Sequence, residues 1–292
     1  MRMLTVAAVL LTLGAASAAP QTTDVRGTWT AEIHGGKVFL QTRSTPPPDW
    51  NRSGDWHGDW SLGQTLPIDD LSGLTNDEQL TAASLRFELR REAGTLSFEG
   101  AFREGRGAGL FTFAPRAEFT NEMKRLGYTD DIPVWRRYQI AMQDVGPRYI
   151  NALKAEGYDK LTLDEITRAR NHGVTTDYIK SMKAEGYKAA TIEDLVRAKD
   201  HGVSATYVSE LAAHGYKGLA LADVVRARDH GVTADYISDM KAIAKDATLA
   251  QMIRMRDHGV TPGFVNHARA RGFTTTDPDE LVRLKDRGLL DR

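Results

Sequence analysis

The sequence predicts an α+β multidomain chain. A small antiparallel β domain spans residues 24–114, and an all-α solenoid of six helix-turn-helix repeats spans 115–292. Three observations predict it. Tyr149, Tyr178, Tyr207 and Tyr236 recur every 29 residues, and Phe264 follows after 28. Each opens a similar phrase (YINALKAEGY, YIKSMKAEGY) that leads to a similar ending (RARNHGV, RAKDHGV). Self-similarity at such a period marks repeats that bury their apolar faces only against their neighbours. Ahead of Pro115 the pattern is instead period 2, the signature of strands with one buried and one wet face.

In the β half, the stretches 27–33, 37–42, 84–89, 94–100 and 109–113 alternate. Leu85, Phe87 and Leu89 share one face of the third, and Arg86, Glu88 and Arg90 share the other. Gly94, Gly105 and Gly107 mark the turns between the last three. The expected arrangement is a meander-like sheet, a sandwich or a partial barrel, with Trp29 in its core. A long Trp/Pro-rich loop is expected over 44–81, and loops of that length inside compact domains are often functional.

The repeats carry their own punctuation. Thr175 is placed to cap a first helix, while Val174 packs on Ile179 as a hydrophobic staple. Tyr178, Ile179 and Met182 form the apolar stripe, and Gly186 ends the helix in the left-handed position. Thr191 then caps a second helix with Asp194 at the capping-box position, as Thr162 does with Glu165. His201-Gly202 stops it. Asp277-Pro278-Asp279-Glu280 combines cap, N1 proline and an acidic first turn. The match of Phe119–Tyr128 to a first helix extends the array to six repeats, starting near 115, 145, 174, 203, 232 and 260. The fifth is one residue short and has Ala244-Lys245 where others have Gly-Tyr, which predicts a local change in the array there.

The first 18 residues read as a secretory signal peptide: Arg2, an apolar run from Leu4 to Leu13, and small residues at Ala16-Ser17-Ala18. The expected location is therefore exported, a bacterial periplasm or beyond. No later stretch approaches the roughly 20 apolar residues of a spanning helix. The chain has no cysteine, so no disulfide or thiolate chemistry is available. Without Arg2, 37 basic residues face 39 acidic ones, a balance that excludes a general attraction to nucleic acid.

Three sets of residues are candidate sites. His172, His201, His230 and His258 recur once per repeat, but equivalent positions of stacked helices lie about 10 Å apart, too far to share one ion. They read as helix-terminal residues, and no metal site is assigned. Arg168/Arg170, Arg197/Lys199, Arg226/Arg228, Arg254/Arg256 and Arg283/Lys285 form a basic ladder. Arg170, Lys199, Arg228 and Arg256, with the outward Asp177, Lys180 and Glu185, are the candidate protein-binding residues. Acid-first pairs such as Asp164–Arg168 and Glu193–Arg197 give the alternative of local helix pairing. Trp50, Trp56, His57 and Trp60 are the candidate ligand-binding residues, as a glycan platform or as anchors of the loop. No His-Glu-x-x-His, Gly-x-Ser-x-Gly, phosphate-binding loop or dinucleotide fingerprint is present. No catalytic residue and no cofactor are assigned.

The unit HGVTTDYIKSMKAEGYKAATIEDLVRAKDHGV resembles helical repeats appended to bacterial membrane zinc metallopeptidases of the β-lactam-sensor and antirepressor type. Similar repeats occur in stand-alone exported proteins. The likeness covers roughly 115–289 and rests on the Gly-Val-Thr-x-x-Tyr and His-Gly-Val steps. The peptidase's zinc motif and membrane helices are not in this sequence, so no catalytic residue carries over. The resemblance implies an exported, repeat-bearing interaction protein of envelope signalling or stress response. The expected function is thus a non-enzymatic scaffold that binds a protein partner. The alternative is small-ligand or glycan binding by the β domain, with the repeats as a tether or oligomerisation element.

Overall fold

Alternation in β1 (Val25–His34) sends Trp29, Ala31 and Ile33 inward and Thr28, Thr30 and Glu32 outward. Gly35 and Gly36, with φ of 57° and 71°, supply the two positive dihedrals that a tight two-residue hairpin demands. The chain returns as β2 (Lys37–Ser44), which buries Val38, Leu40 and Thr42. The remaining strands are β3 (Trp60–Pro67), β4 (Leu71–Ser72), β5 (Ala82–Arg91), β6 (Gly94–Arg103) and β7 (Arg106–Pro115). This computed structural model describes residues 25–44 and 60–288.

The seven strands form one curled antiparallel sheet in the order β3-β2-β1-β7-β6-β5-β4. β1 lies between β2 and the last strand, β7, with Trp29 opposite Thr42 on one side and Gly109 on the other. The inward face is aromatic. Trp29 meets Phe87 edge-on at 5.1 Å, and Phe87 stacks on Phe98 at 4.7 Å. Burying the indole leaves its N–H in need of an acceptor, and it donates to the carbonyls of Leu110 and Glu99. Close packing leaves no room for side chains at Gly100 and Gly109, where a Cβ would lie 2.2 and 2.0 Å from the neighbouring strand's carbonyl oxygens.

Two features depart from the sequence reading. The stretch expected as one loop over 44–81 contains β3 and β4, separated by a 3-10 turn at Ile68–Asp70. The signal in β3 is weak because Gly63, Gln64 and Pro67 interrupt its apolar positions. The boundary at 115 is also not a single cut. The β unit takes in Ile132–Tyr138, and the helical unit takes in Arg90–Gly94. Tyr138 completes the aromatic core of the β unit: its ring stacks on Phe111 at 5.5 Å and its hydroxyl lies 2.6 Å from Thr42 Oγ1. Burial pushes that phenol up to about 12.

Twelve helices follow among the described residues, in six pairs: α1 (Phe119–Arg125) and α2 (Val134–Met142), α3 (Pro147–Ala155) and α4 (Leu163–Asn171), α5 (Thr176–Ala184) and α6 (Ile192–Asp200), α7 (Ala205–Ala213) and α8 (Leu221–Asp229), α9 (Ala234–Lys241) and α10 (Leu249–Asp257), α11 (Pro262–Ala270) and α12 (Pro278–Asp286). The caps follow the sequence. Thr175, Ser204, Thr233 and Thr261 accept from the backbone N–H three residues on. Thr162/Glu165 and Thr191/Asp194 form complete capping boxes, as does Thr248/Gln251. These bonds hold the Glu165 and Asp194 carboxyls below their ordinary values. Val174 and Ile179 are fully buried, as the staple requires. Gly202 follows α6 with φ 69°, a conformation that β-branched residues resist. The fifth pair departs from the others as its sequence does: no left-handed glycine follows α9, which caps at Ala242 in helical geometry, where the other first helices are each followed by one.

Candidate functional site

The repeats are joined by polar contacts recurring at fixed positions. The first is built on the tyrosine that opens each first helix. Tyr149, Tyr178, Tyr207 and Tyr236 are each less than a tenth exposed. Their hydroxyls donate to the carbonyls of Val174, Val203, Val232 and Val260 at 2.5–3.0 Å. Burial of each ring pushes its phenol up to about 12. A second row, Tyr128, Tyr158, Tyr187 and Tyr216, donates to the carbonyls of Leu161, Ala190, Leu219 and Ala247 in the following repeat.

The basic ladder is divided between two jobs. The second cation of each pair lies over the tyrosine of its own repeat: Arg170 over Tyr149 at 5.1 Å, Lys199 over Tyr178 at 4.8 Å, Arg228 over Tyr207 at 5.1 Å and Arg256 over Tyr236 at 5.0 Å. Each stem also crosses to the preceding repeat. Lys199 Cε would be 3.3 Å from a Cβ at Gly173, and Arg228 Nε 3.7 Å from one at Gly202. Such contacts are worth about 0.5–1 kcal/mol where partly exposed. Four of the candidate protein-binding residues therefore serve as struts, although Lys199, Arg228 and Arg256 keep exposed surface. The first cation of two pairs reaches forward instead, Arg168 to Glu193 at 2.9 Å and Arg254 to Asp279 at 2.7 Å, each in the next repeat, while Arg226 turns to Asp223 of its own helix at 3.9 Å. Glu193 and Asp279, expected to pair with the cations four residues on in their own helices, receive those of the preceding repeat.

The histidines end their helices, as expected: His172, His201, His230 and His258 are the C-cap residues of α4, α6, α8 and α10. Their rings do more. Nδ1 lies 2.6–2.7 Å from an aspartate oxygen of the next repeat, in the pairs His172–Asp200, His201–Asp229, His230–Asp257 and His258–Asp286. An ionised carboxylate only accepts, so Nδ1 carries the proton in each pair. Sequence reasoning missed this role because Asp200 and His201 are neighbours in the chain yet bond in opposite directions. The signal that reveals it is the one-repeat offset between them.

The first repeat replaces this chemistry. Gln143 and Asp144 stand where the others have His and Gly, and Asp144 takes the left-handed conformation with φ 52°. Its carboxylate receives Arg170 at 2.7 Å and faces Arg91 at 3.4 Å. Glu92 works beside it. Gly146 has no side chain to cap α3, and the Glu92 carboxylate accepts from the Arg148 N–H at 3.1 Å in its place. A Cβ at Gly146 would stand 2.5 Å from Glu92 Oε2, so the glycine makes room for the carboxylate that caps the helix.

Outward positions of the first helices behave differently. Asp177 and Lys180 on α5 are exposed and Glu185, at its C-cap, is half-buried. The counterparts of Asp177 and Lys180 are Arg148 and Asn151, Thr206 and Ser209, Asp235 and Ser238, and Gly263 and Asn266, all exposed. Junction positions thus hold one chemistry through the middle of the array, and the outward pairs differ from each repeat to the next.

Of the candidate ligand residues, Trp50, Trp56 and His57 lie outside the described residues, and Trp60 opens β3. The signal segment, residues 1–18, is likewise outside them. The β unit has an open cleft of about 410 Å³ lined by Arg86, Ser97, Glu99, Leu110 and Thr112, with an Arg86–Glu99 ion pair at 3.1 Å. Among the described residues, no three His, Asp or Glu side chains converge as metal ligands, and no helix is long and apolar enough to cross a membrane. Comparison with protein-family models, curated proteins and solved structures finds no match.

Proposed function

We propose that this chain is an exported, non-enzymatic binding protein whose helical array presents the outward row of its first helices to a protein partner. One observation carries the reading: the positions that join repeats keep one chemistry through the middle of the array, with His–Asp links at four successive junctions, while the exposed pairs from Arg148/Asn151 to Gly263/Asn266 differ at every step. A surface that only needed to stay wet would gain nothing from being held on so regular a frame. A frame that fixes a row of distinct side chains can read a partner position by position. Asp177 and Lys180, side by side in the third repeat, are central to that row. Export is supported by the residue pattern of Met1–Ala18. The family resemblance adds envelope signalling or stress response as the setting.

Crosslinking the full chain in its native envelope tests the reading. A defined protein is expected to be captured, and Asp177→Arg with Lys180→Glu is expected to weaken capture at least tenfold without lowering the melting temperature. Undiminished capture by that folded variant, or capture traced to the β unit, overturns it.

A further inference from the structure

The two edges of the sheet are unequal. At one edge β4 is only two residues long, Leu71 and Ser72, and the strand behind it, β5, alternates Arg86, Glu88 and Arg90 on its outer face. Short strands and alternating charge are the usual protections of an edge against pairing with another chain. The other edge has neither. β3 is eight residues long, Trp-Ser-Leu-Gly-Gln-Thr-Leu-Pro, without a single charge. It pairs with β2 on one side, and among the described residues no strand pairs with its other side.

Burial shows the same edge to be unfinished. Leu62 and Gln64 point to the inner face opposite Thr42 and Leu40, which are both 0% exposed. Leu62 and Gln64 remain half-buried. On the outer face Phe39 is 51% exposed and its ring lies over Gly63, where an added Cβ would be 3.5 Å from it. An apolar ring therefore lies beside an uncharged strand that, among the described residues, is the edge of the sheet.

We propose that β3 pairs antiparallel with β3 of a second copy of this chain, extending the sheet across a two-fold axis centred on Gly63. A two-fold contact sets each residue against a residue of the same strand, so it must be self-complementary. A lysine or aspartate at the centre would meet its own copy, and the strand has no charged residue at any position. In an antiparallel pair, residues directly opposite share a face. A centre on Gly63 sets Ser61 against Thr65 and Leu62 against Gln64. A centre on Gln64 would set Ser61 against Pro67, which has no N–H to give to the ladder. This proposal concerns the β unit and stands or falls separately from the partner-binding reading of the array.

Light scattering of the full chain from micromolar to several hundred micromolar tests it. The chain is expected to dimerise, and Ser61→Lys with Thr65→Lys is expected to weaken association at least tenfold. Mixing that variant with Ser61→Glu/Thr65→Glu is expected to restore dimers. As the chain has no cysteine, Gly63→Cys provides a second measurement. Opposed Cα atoms in such a pair lie about 4.5–5.5 Å apart, within the roughly 4.4–6.8 Å a disulfide spans, so mild oxidation should give a covalent dimer. A monomer at all concentrations, a dimer indifferent to the lysines, or Gly63→Cys that stays monomeric on oxidation overturns the proposal.

Discussion

The imidazole Nδ1 of His201 lies 2.6 Å from Oδ1 of Asp229, 28 positions on and one repeat away. His172–Asp200, His230–Asp257 and His258–Asp286 repeat this relationship, so the ladder runs through four successive junctions. Each link joins the end of one second helix to the end of the next, at a site where helix carbonyls already favour a donor.

A double-mutant cycle on His201→Ala and Asp229→Ala measures the link. The side chains are 39% and 40% exposed, so solvent screens the pair. The expected coupling is about 0.2–1 kcal/mol in chemical denaturation, and it should shrink as salt is raised. Strict additivity of the two single variants would show that the contact does not couple the repeats.

The cap of α3 makes a sharper case. Glu92→Ala removes the carboxylate that receives the Arg148 N–H and is expected to cost about 0.5–2 kcal/mol, the range for loss of an N-cap. Gly146→Ala should also destabilise the native chain, because its methyl group would occupy the space of Glu92 Oε2. In the Glu92→Ala background the Gly146 substitution should lose most of its effect, since the obstructing carboxylate is gone. Equal effects of Gly146→Ala in both backgrounds would refute this account.

The buried tyrosines predict an alkaline limit. Tyr149, Tyr178, Tyr207, Tyr216 and Tyr236 have phenols raised by burial to about 12 from an ordinary 10.0. A group raised on folding contributes stability that is complete below its unfolded value and lost as pH climbs through the folded one. Stability should therefore hold to pH 10 and fall between 10 and 12. Phenolate absorbance and circular dichroism followed over that range should change together. Ionisation of all the tyrosines near 10 with the helices intact would contradict the buried ladder.

How much could be read from residues alone depended on sequence distance. Helix ends were legible because a cap and its target lie three positions apart, as in Thr162 and Glu165. Strands such as β1 were legible because alternation is a neighbour-to-neighbour property. β3 was not, because Gln64 stands on its inner face and Gly63 and Pro67 weaken its β propensity. Tyr138 resembles a stripe residue of a second helix, but it stacks on Phe111 in the sheet. Of the candidate binding residues, Asp177 and Lys180 are exposed as expected. The role of Lys199 and its equivalents changed because stacking set an aromatic ring beneath each cation. The His–Asp pairs join residues 27 or 28 positions apart and the Glu92 cap residues 56 apart. Such pairs become visible only when the stacking offset is known.

The shortened fifth repeat has a thermodynamic consequence. Where the second through fourth repeats each pass two tyrosine hydroxyls to carbonyls of the next, the fifth has Ala244-Lys245 and passes only that of Tyr236. A linear array behaves as a one-dimensional cooperative chain, whose stability sums the intrinsic terms of its members and the couplings between neighbours. Thinning one coupling gives such a chain a preferred breaking point. Opening should begin there, with α11 and α12 exchanging their amide hydrogens as one block while the helices before them stay closed.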